Sequence, residues 1–242
     1  MPLVPFPGFF KFLEPIGVIL HRQIIKKYTL GFIPDLPGDL NLSGRLSHMI
    51  NLPGNVRYIG ILSRFTDLDK YTTDNNTKFH HNTVILSGPE PQKEILKQKL
   101  IALLKDKNTK TVMFEGKPKN GGEISGYGNI IFYKHLTSLP MREMIASSDL
   151  IITRSGYTTL MELVSLNLTA LVIPTPGQTE QEYLAKYLTE KGWFRTVSQN
   201  EINDKNLITP GKEVNHDEII RQSGILLTDA INELLENHHK KR

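Results

Sequence analysis

The sequence predicts an α/β protein built on a Rossmann-like parallel sheet, and three observations carry that prediction. Between residues 82 and 197, short apolar runs alternate with segments of helical periodicity, the pattern of parallel strands joined by right-handed crossovers. The runs are compact and apolar, as in Leu150-Ile151-Ile152 and Leu171-Val172-Ile173, which suits buried strands. They also end in small and polar loops that open the next helix, the layout of ligand-contacting loops at the carboxyl ends of strands.

The elements follow in order. Residues 1–31 are Pro-rich, aromatic and apolar, then basic through His21, Arg22, Lys26 and Lys27. They read as the interior of a larger unit or as a surface-seeking amphipathic segment over 9–27. Residues 31–35 and 56–60 are short strands, and 36–55, rich in Gly, Pro, Asn and Ser, is a loop or linker. Strands are expected at 82–87, 109–114, 129–133, 149–153, 169–173 and 194–197. Helices are expected at 91–105, 140–147, 155–165, 178–191 and 218–235, with Gly192 as a stop signal. This divides the chain into 1–55, a remnant and linker; 56–200, one complete α/β domain; and 201–242, a loop and helix.

Composition narrows the function. The 29 basic and 25 acidic residues leave a net charge of +4, too weak to argue for nucleic acid. There is no cysteine, which excludes a disulfide scaffold, a cysteine nucleophile and a thiolate metal site. The pairs His80-His81 and His238-His239 lack an i, i+4 partner and are expected to be exposed, and no metal site is expected. No run of about 18 uncharged apolar residues suggests a membrane span, and Lys11, Glu14 and four prolines in the first fifteen residues argue against a signal peptide. A cytoplasmic protein is expected.

Three loops have residues suited to chemistry. In the first, Ser87-Gly88-Pro89-Glu90-Pro91, Gly88 permits a tight turn and the next helix offers N–H groups to a phosphate; a simply capped helix start fits as well. In the second, Arg154-Ser155-Gly156-Tyr157-Thr158-Thr159, Ser155 is expected to cap the helix. The amides of Gly156, Tyr157 and Thr158 are then left for an anion, with Arg154 and the threonine hydroxyls as further donors. Glu162, two turns in, is placed to accept hydrogen bonds from a ribose diol; the alternative is a surface Glu on a plain helix. In the third, Gln178, Glu180 and Gln181 suit sugar hydroxyls, although taken alone they also read as a polar helix entrance.

At these loops the chain resembles the C-terminal nucleotide-sugar domain of family-28 glycosyltransferases of the two-domain GT-B type. Asp149, Arg154, Ser155, Gly156 and Glu162 match one segment of the family pattern, and Pro174 with Glu180-Gln181 matches the next. The resemblance implies a hexosyltransferase that moves a sugar, N-acetylglucosamine by expectation, from a UDP-sugar to a lipid-linked or cell-envelope acceptor. It implies Glu162 on the ribose, Ser155, Gly156, Thr158 and Thr159 near the diphosphate and sugar, Glu180 and Gln181 on the sugar, and Met141 beside the uracil. Ser87-Gly88 stands where the family has a Gly-rich phosphate loop. No cofactor or metal is implied, since a helix terminus and basic groups stabilise the leaving diphosphate. On this resemblance residues 1–35 are the tail of an acceptor domain. The chain is then a fragment or a split-enzyme subunit with a partner supplying the acceptor half, peripheral on the inner face of the cytoplasmic membrane. A nucleotide-sugar hydrolase or epimerase on the same scaffold, and a non-catalytic UDP-sugar-binding subunit, are the alternatives.

Overall fold

The computed structural model describes residues 22–48, 51–66, 81–116, 124–207 and 214–239. The chain divides into two compact units, one formed by residues 63–214 and the other by residues 1–62 with 215–242.

The larger unit is a seven-stranded sheet. Its strands are β3 (His81–Ile85), β4 (Lys110–Phe114), β5 (Ile124–Tyr127), β6 (Ile130–Tyr133), β7 (Leu150–Thr153), β8 (Leu171–Val172) and β9 (Arg195–Thr196), in the order β5-β6-β4-β3-β7-β8-β9. Every pair is parallel except β5–β6. The crossovers carry helices α2 (Gln92–Leu104), α3 (Ser138–Ala146), α4 (Tyr157–Val164) and α5 (Thr179–Glu190). Each strand and helix expected between residues 82 and 197 is present, with ends shifted by one or two residues. Strand β5 was not foreseen, because Ile-Ser-Gly-Tyr at the sheet edge has neither an apolar run nor a β-branched cluster to announce it.

The sheet core explains the apolar runs. Val84, Leu86, Met113, Ile152, Leu171 and Ile173 pack with Leu96, Leu100 and Leu104 of α2 in one buried cluster. All four residues of β7 are buried, as expected of a central parallel strand. Strand β3 connects outward to β4 on one side, while β7 lies on its other side and leads to β8. The carboxyl ends of β3 and β7, paired at Ile85 and Thr153, therefore flank the point where the strand order reverses.

The smaller unit contains parallel strands β1 (Gly31–Ile33) and β2 (Val56–Tyr58), the single helical turn α1 (Arg45–His48) and the long helix α6 (Asp217–His239). The segment read as a loop or linker over 36–55 is largely irregular, but part of it is packed, with Leu36, Leu42 and Leu46 buried. The cause is Asp35, which is fully buried. Its carboxylate accepts the amides of Leu36 at 2.9 Å, Leu42 at 2.8 Å and Ser43 at 3.0 Å, and the Ser43 hydroxyl. A buried carboxylate is tolerated only with such donors, and here it winds the loop around itself. His48 closes the turn, with Nε2 at 2.8 Å from the Leu36 carbonyl and its ring stacked 4.7 Å from that of Tyr58.

Two expectations about histidines and the amino-terminal segment change or lie elsewhere. His81 is not exposed: it is 5% accessible, with Nε2 at 3.0 Å from the Met144 carbonyl, because it begins a central strand. His80 lies outside the described residues, as do the side chains of His238 and His239. Residues 9–21 of the amphipathic segment also lie outside them, while 22–25 form a helical turn. Among the described residues no helix is long and apolar enough to cross a membrane.

Two predictions concern the smaller unit. Gly60 has φ of +74°, and a Cβ there would stand 2.3 Å from the Ser223 Cα of α6. Gly60→Ala is expected to cost about 3 kcal/mol or more, whereas Gly224→Ala, which meets nothing, is expected to add up to about 1 kcal/mol; urea denaturation of both variants checks this. His216 is 1% exposed, and burial, opposed by Asp217, holds its imidazole down to about 4. Between pH 6.5 and 4 the unfolded imidazole takes a proton that the folded one refuses. Stability is therefore full above pH 6.5 and falls by about 3 kcal/mol toward pH 4, a slope that His216→Leu is expected to flatten in denaturation at pH 7 and 4.5.

Candidate functional site

The three loops singled out in the sequence follow β3, β7 and β8, and they meet on one buried side chain. Arg154, the first residue after β7, is fully buried. Its Nη1 donates to the carbonyls of Ile173 and Pro174, each at 3.1 Å, and its Nη2 to the Gln92 carbonyl at 2.8 Å and to Gln199 Oε1 at 2.6 Å. Gln92 opens α2 beyond the first loop, and Ile173 and Pro174 lead into the third. Gln199 is braced in turn by its Nε2 bond to Gln92 Oε1 at 2.8 Å. All of these partners are neutral oxygens. Burial lowers the guanidinium pKa to about 10, so it still carries its charge at neutral pH. This corrects the expectation that Arg154 offers donors to a ligand: its Nη groups are spent inside the protein, holding the loops.

The second loop differs from expectation in its cap as well. Ser155 is buried, and its hydroxyl donates 2.8 Å to the Gln181 carbonyl, because the third loop lies against it. The N-cap of α4 is Gly156, with φ −73°, ψ 131° and no capping side chain. The start of α4 thus keeps the partial positive charge of an uncapped helix end, more open to an anion than a serine cap leaves it. Thr158 is exposed and Thr159 half-buried at that end.

In the first loop, Ser87 is half-buried and Gly88 exposed with φ of +98°. Of the two readings of the α2 start, a phosphate-binding end and a plain helix entrance, the second is favoured by two occupied N–H groups. The Glu94 N–H is taken by the Glu90 carboxylate at 3.1 Å and the Lys93 N–H by the Pro89 carbonyl at 3.1 Å. The capped-helix reading holds there, and Ser87 with Gly88 is what the loop still presents.

The third loop is braced from within. Gln181 Oε1 accepts the Thr175 N–H at 3.0 Å, its Nε2 donates to Gln178 Oε1 at 2.5 Å, and Glu182 accepts the Gly177 N–H at 2.9 Å. Gln181 and Gln178 are thus partly committed to loop shape. Glu180 is half-buried, with no hydrogen bond or ion pair among the described residues.

Glu162 lies in α4 between buried Met161 and Leu163 and is itself 7% exposed. Its Oε1 pairs with Arg64 Nε at 2.8 Å. Burial raises its carboxyl above the ordinary carboxylate range, and the Arg64 charge and hydrogen bond offset part of that rise. Arg64 also points Nη2 at Met141 Sδ, 3.1 Å away, and lies 4.9 Å over the Phe65 ring. Its backbone is pinned by Ser63, whose hydroxyl is 2.7 Å from that of Ser165 at the end of α4. Met141 and Glu162, forecast as nucleotide contacts from separate motifs, thus share one cation. Sequence reading missed Arg64 because it stands alone after a short strand, with no spacing to mark it. It also missed Thr175, which is 2% exposed with its hydroxyl unpartnered among the described residues. Among these residues no three His, Asp or Glu gather into a metal site. Replacing Arg154 with Met strands four acceptors, and about 3 kcal/mol of stability is expected to be lost in chemical denaturation.

The profile of the glycosyltransferase family 28 C-terminal domain matches residues 78–223, more than half of the chain. A UDP-N-acetylglucosamine--N-acetylmuramyl-(pentapeptide) pyrophosphoryl-undecaprenol N-acetylglucosamine transferase of Desulforamulus reducens is 32% identical over 97 residues, covering 39% of this chain and 26% of the relative. An uncharacterized glycosyltransferase of Methanosarcina acetivorans is 23% identical over 181 residues, 74% of this chain and 46% of the relative. The chain therefore spans less than half the length of these relatives. Among solved structures, the calicheamicin glycosyltransferase CalG4 superposes with a TM-score of 0.53 at 12% identity, over 98% of this chain and 60% of that one. The glycosyltransferase of kitacinnamycin gives 0.52 at 14% identity, over 93% and 57%. These likenesses show the fold, the C-terminal half of a GT-B architecture with its parallel sheet. With three loops joined at the reversal of the sheet and the family profile laid across them, the chain belongs to glycosyltransferase family 28, as a bearer of its C-terminal domain.

Proposed function

We propose that this chain is the donor-binding part of a hexosyltransferase, which takes N-acetylglucosamine from a UDP-sugar and passes it to a lipid-linked or cell-envelope acceptor. One observation carries the reading: an uncapped helix start at Gly156 and a buried carboxylate, Glu162, stand on the same helix at the strand-order reversal. The helix start suits the diphosphate, and the carboxylate suits the ribose diol, as it accepts two hydrogen bonds. Arg64 positions that carboxylate and Met141 stands beside the same cation, in keeping with a nucleoside pocket. The name of the Desulforamulus relative supports the choice of sugar and acceptor.

In this reading the acceptor hydroxyl is deprotonated by a base and attacks the anomeric carbon while UDP departs. The α4 start and the buried Arg154 charge stabilise the diphosphate as it gains charge, without a metal ion or cofactor. The short coverage of the relatives favours placing the base and the acceptor contacts on polypeptide beyond these 242 residues, in the same protein or in a partner subunit. A basic stretch through Arg22, Lys26 and Lys27 supports peripheral contact with an anionic membrane face.

Calorimetric titration with UDP tests the reading. Glu162→Ala is expected to weaken UDP binding at least tenfold, with a smaller loss for pyrophosphate, which has no ribose. Equal UDP affinity in variant and parent removes Glu162 from the ribose.

A further inference from the structure

We propose that the Thr175 hydroxyl is a ligand contact, and that with Gly88 it forms a notch that receives a phosphate oxygen of a nucleoside diphosphate. The inference rests on the donor-binding reading above and adds a residue and a place to it.

Thr175 is held on both sides of its hydroxyl. Its N–H is bonded to Gln181 Oε1 at 3.0 Å, and its carbonyl accepts the Gln178 N–H at 3.0 Å. The residue is 2% exposed, yet Oγ1 has no hydrogen-bond partner among the described residues. A buried hydroxyl left unpaired is costly, and a loop this well braced has no cause to keep one unless something external completes it. Valine has the same shape and carries no such cost.

The first loop lies directly beside that hydroxyl. A Cβ built on Gly88 would stand 3.6 Å from Thr175 Oγ1, so any other residue would put a carbon against it. Independently, the φ of +98° at Gly88 is a backbone conformation that favours glycine, so the position carries no side chain. The notch joins the ends of β3 and β8, on either side of β7.

Charge selects the ligand. Arg154 binds the carbonyl of Pro174, the residue before Thr175, and the carbonyl of Gln92, four residues after Gly88. Its recorded partners are all neutral oxygens, so its positive charge is balanced by dipoles rather than by a carboxylate. A site next to a buried, uncompensated cation favours an anion. A hydroxyl with no acceptor has a proton to donate, and a phosphate oxygen takes it in a charge-assisted bond. A sugar hydroxyl would meet the hydrogen bond but draw nothing from the cation.

The test titrates the full chain with UDP and with uridine, for the parent, Thr175→Val and Thr175→Ser, alongside thermal melting. Thr175→Val is expected to melt at or above the parent temperature, because the orphaned hydroxyl is gone. Its UDP affinity is expected to fall about tenfold while its uridine affinity stays level, and Thr175→Ser is expected to keep UDP binding within about twofold. Unchanged UDP affinity in Thr175→Val, or equal losses for UDP and uridine, overturns the proposal. A melting point well below the parent's, with Thr175→Ser binding UDP no better than Thr175→Val, assigns the hydroxyl to structure and also overturns it. Failure of the parent itself to bind UDP overturns the donor-binding reading, and this inference with it.

Discussion

The buried guanidinium of Arg154 is the constraint on which the rest of the site depends. Planar and always charged, it satisfies carbonyls from two different loop regions and a side-chain amide at once, with donors in a rigid fork. A lysine in that place is a point charge on a flexible stem and does not reproduce the fork. Because the acceptors belong to segments after β3, β8 and β9, the loops around β7 cannot shift independently. Preorganisation of this kind matters where charge develops on a departing group, since dipoles already aimed need no rearrangement.

Glu162 shows the same economy within helix α4. Helix α4 buries Leu160, Met161, Leu163 and Val164 around it, so the carboxylate has little water and needs a partner. Arg64 supplies that partner, and its own position is fixed by Ser63 and Ser165. On the proposed donor-binding reading, ligand hydroxyls arriving at Glu162 would meet a carboxylate already oriented. Among the described residues of these loops, the uncapped start of α4, Ser87, Gly88, Glu180 and the Thr175 hydroxyl remain unspent.

In the smaller unit Asp35 plays the mirror role. There a buried carboxylate gathers backbone N–H groups, where Arg154 gathers carbonyls. In both places an irregular segment is ordered by one buried charged group, most of whose partners come from the backbone. Apolar packing alone cannot do this, because a buried loop has polar backbone groups that must be paired.

The sheet was legible in the sequence because its signal is local. Apolar runs such as Leu150–Thr153 and the helical spacing of Leu96, Leu100 and Leu104 follow from burial on the strand and helix periods, and neighbours in the chain suffice to reveal them. The loops that carry polar chemistry were legible for a similar reason, since Gly and small residues after a strand mark a turn. Edge strand β5 and the folded segment after Asp35 had no such mark. The division of labour within the loops was hidden as well. Arg154, Ser155 and Gln181 read as ligand donors, and tertiary contacts turned them inward, while Arg64 and Thr175 carried no assigned role and lie against Glu162 and Gln181. The sequence by itself determined the fold class, the strand-and-helix order and which loops follow the strands at the reversal of the sheet. Only the tertiary structure decided which polar groups are free to serve it. A hydrogen bond such as that between Arg154 and Gln92 spans 62 residues, and no local pattern records which distant acceptor a donor has already found.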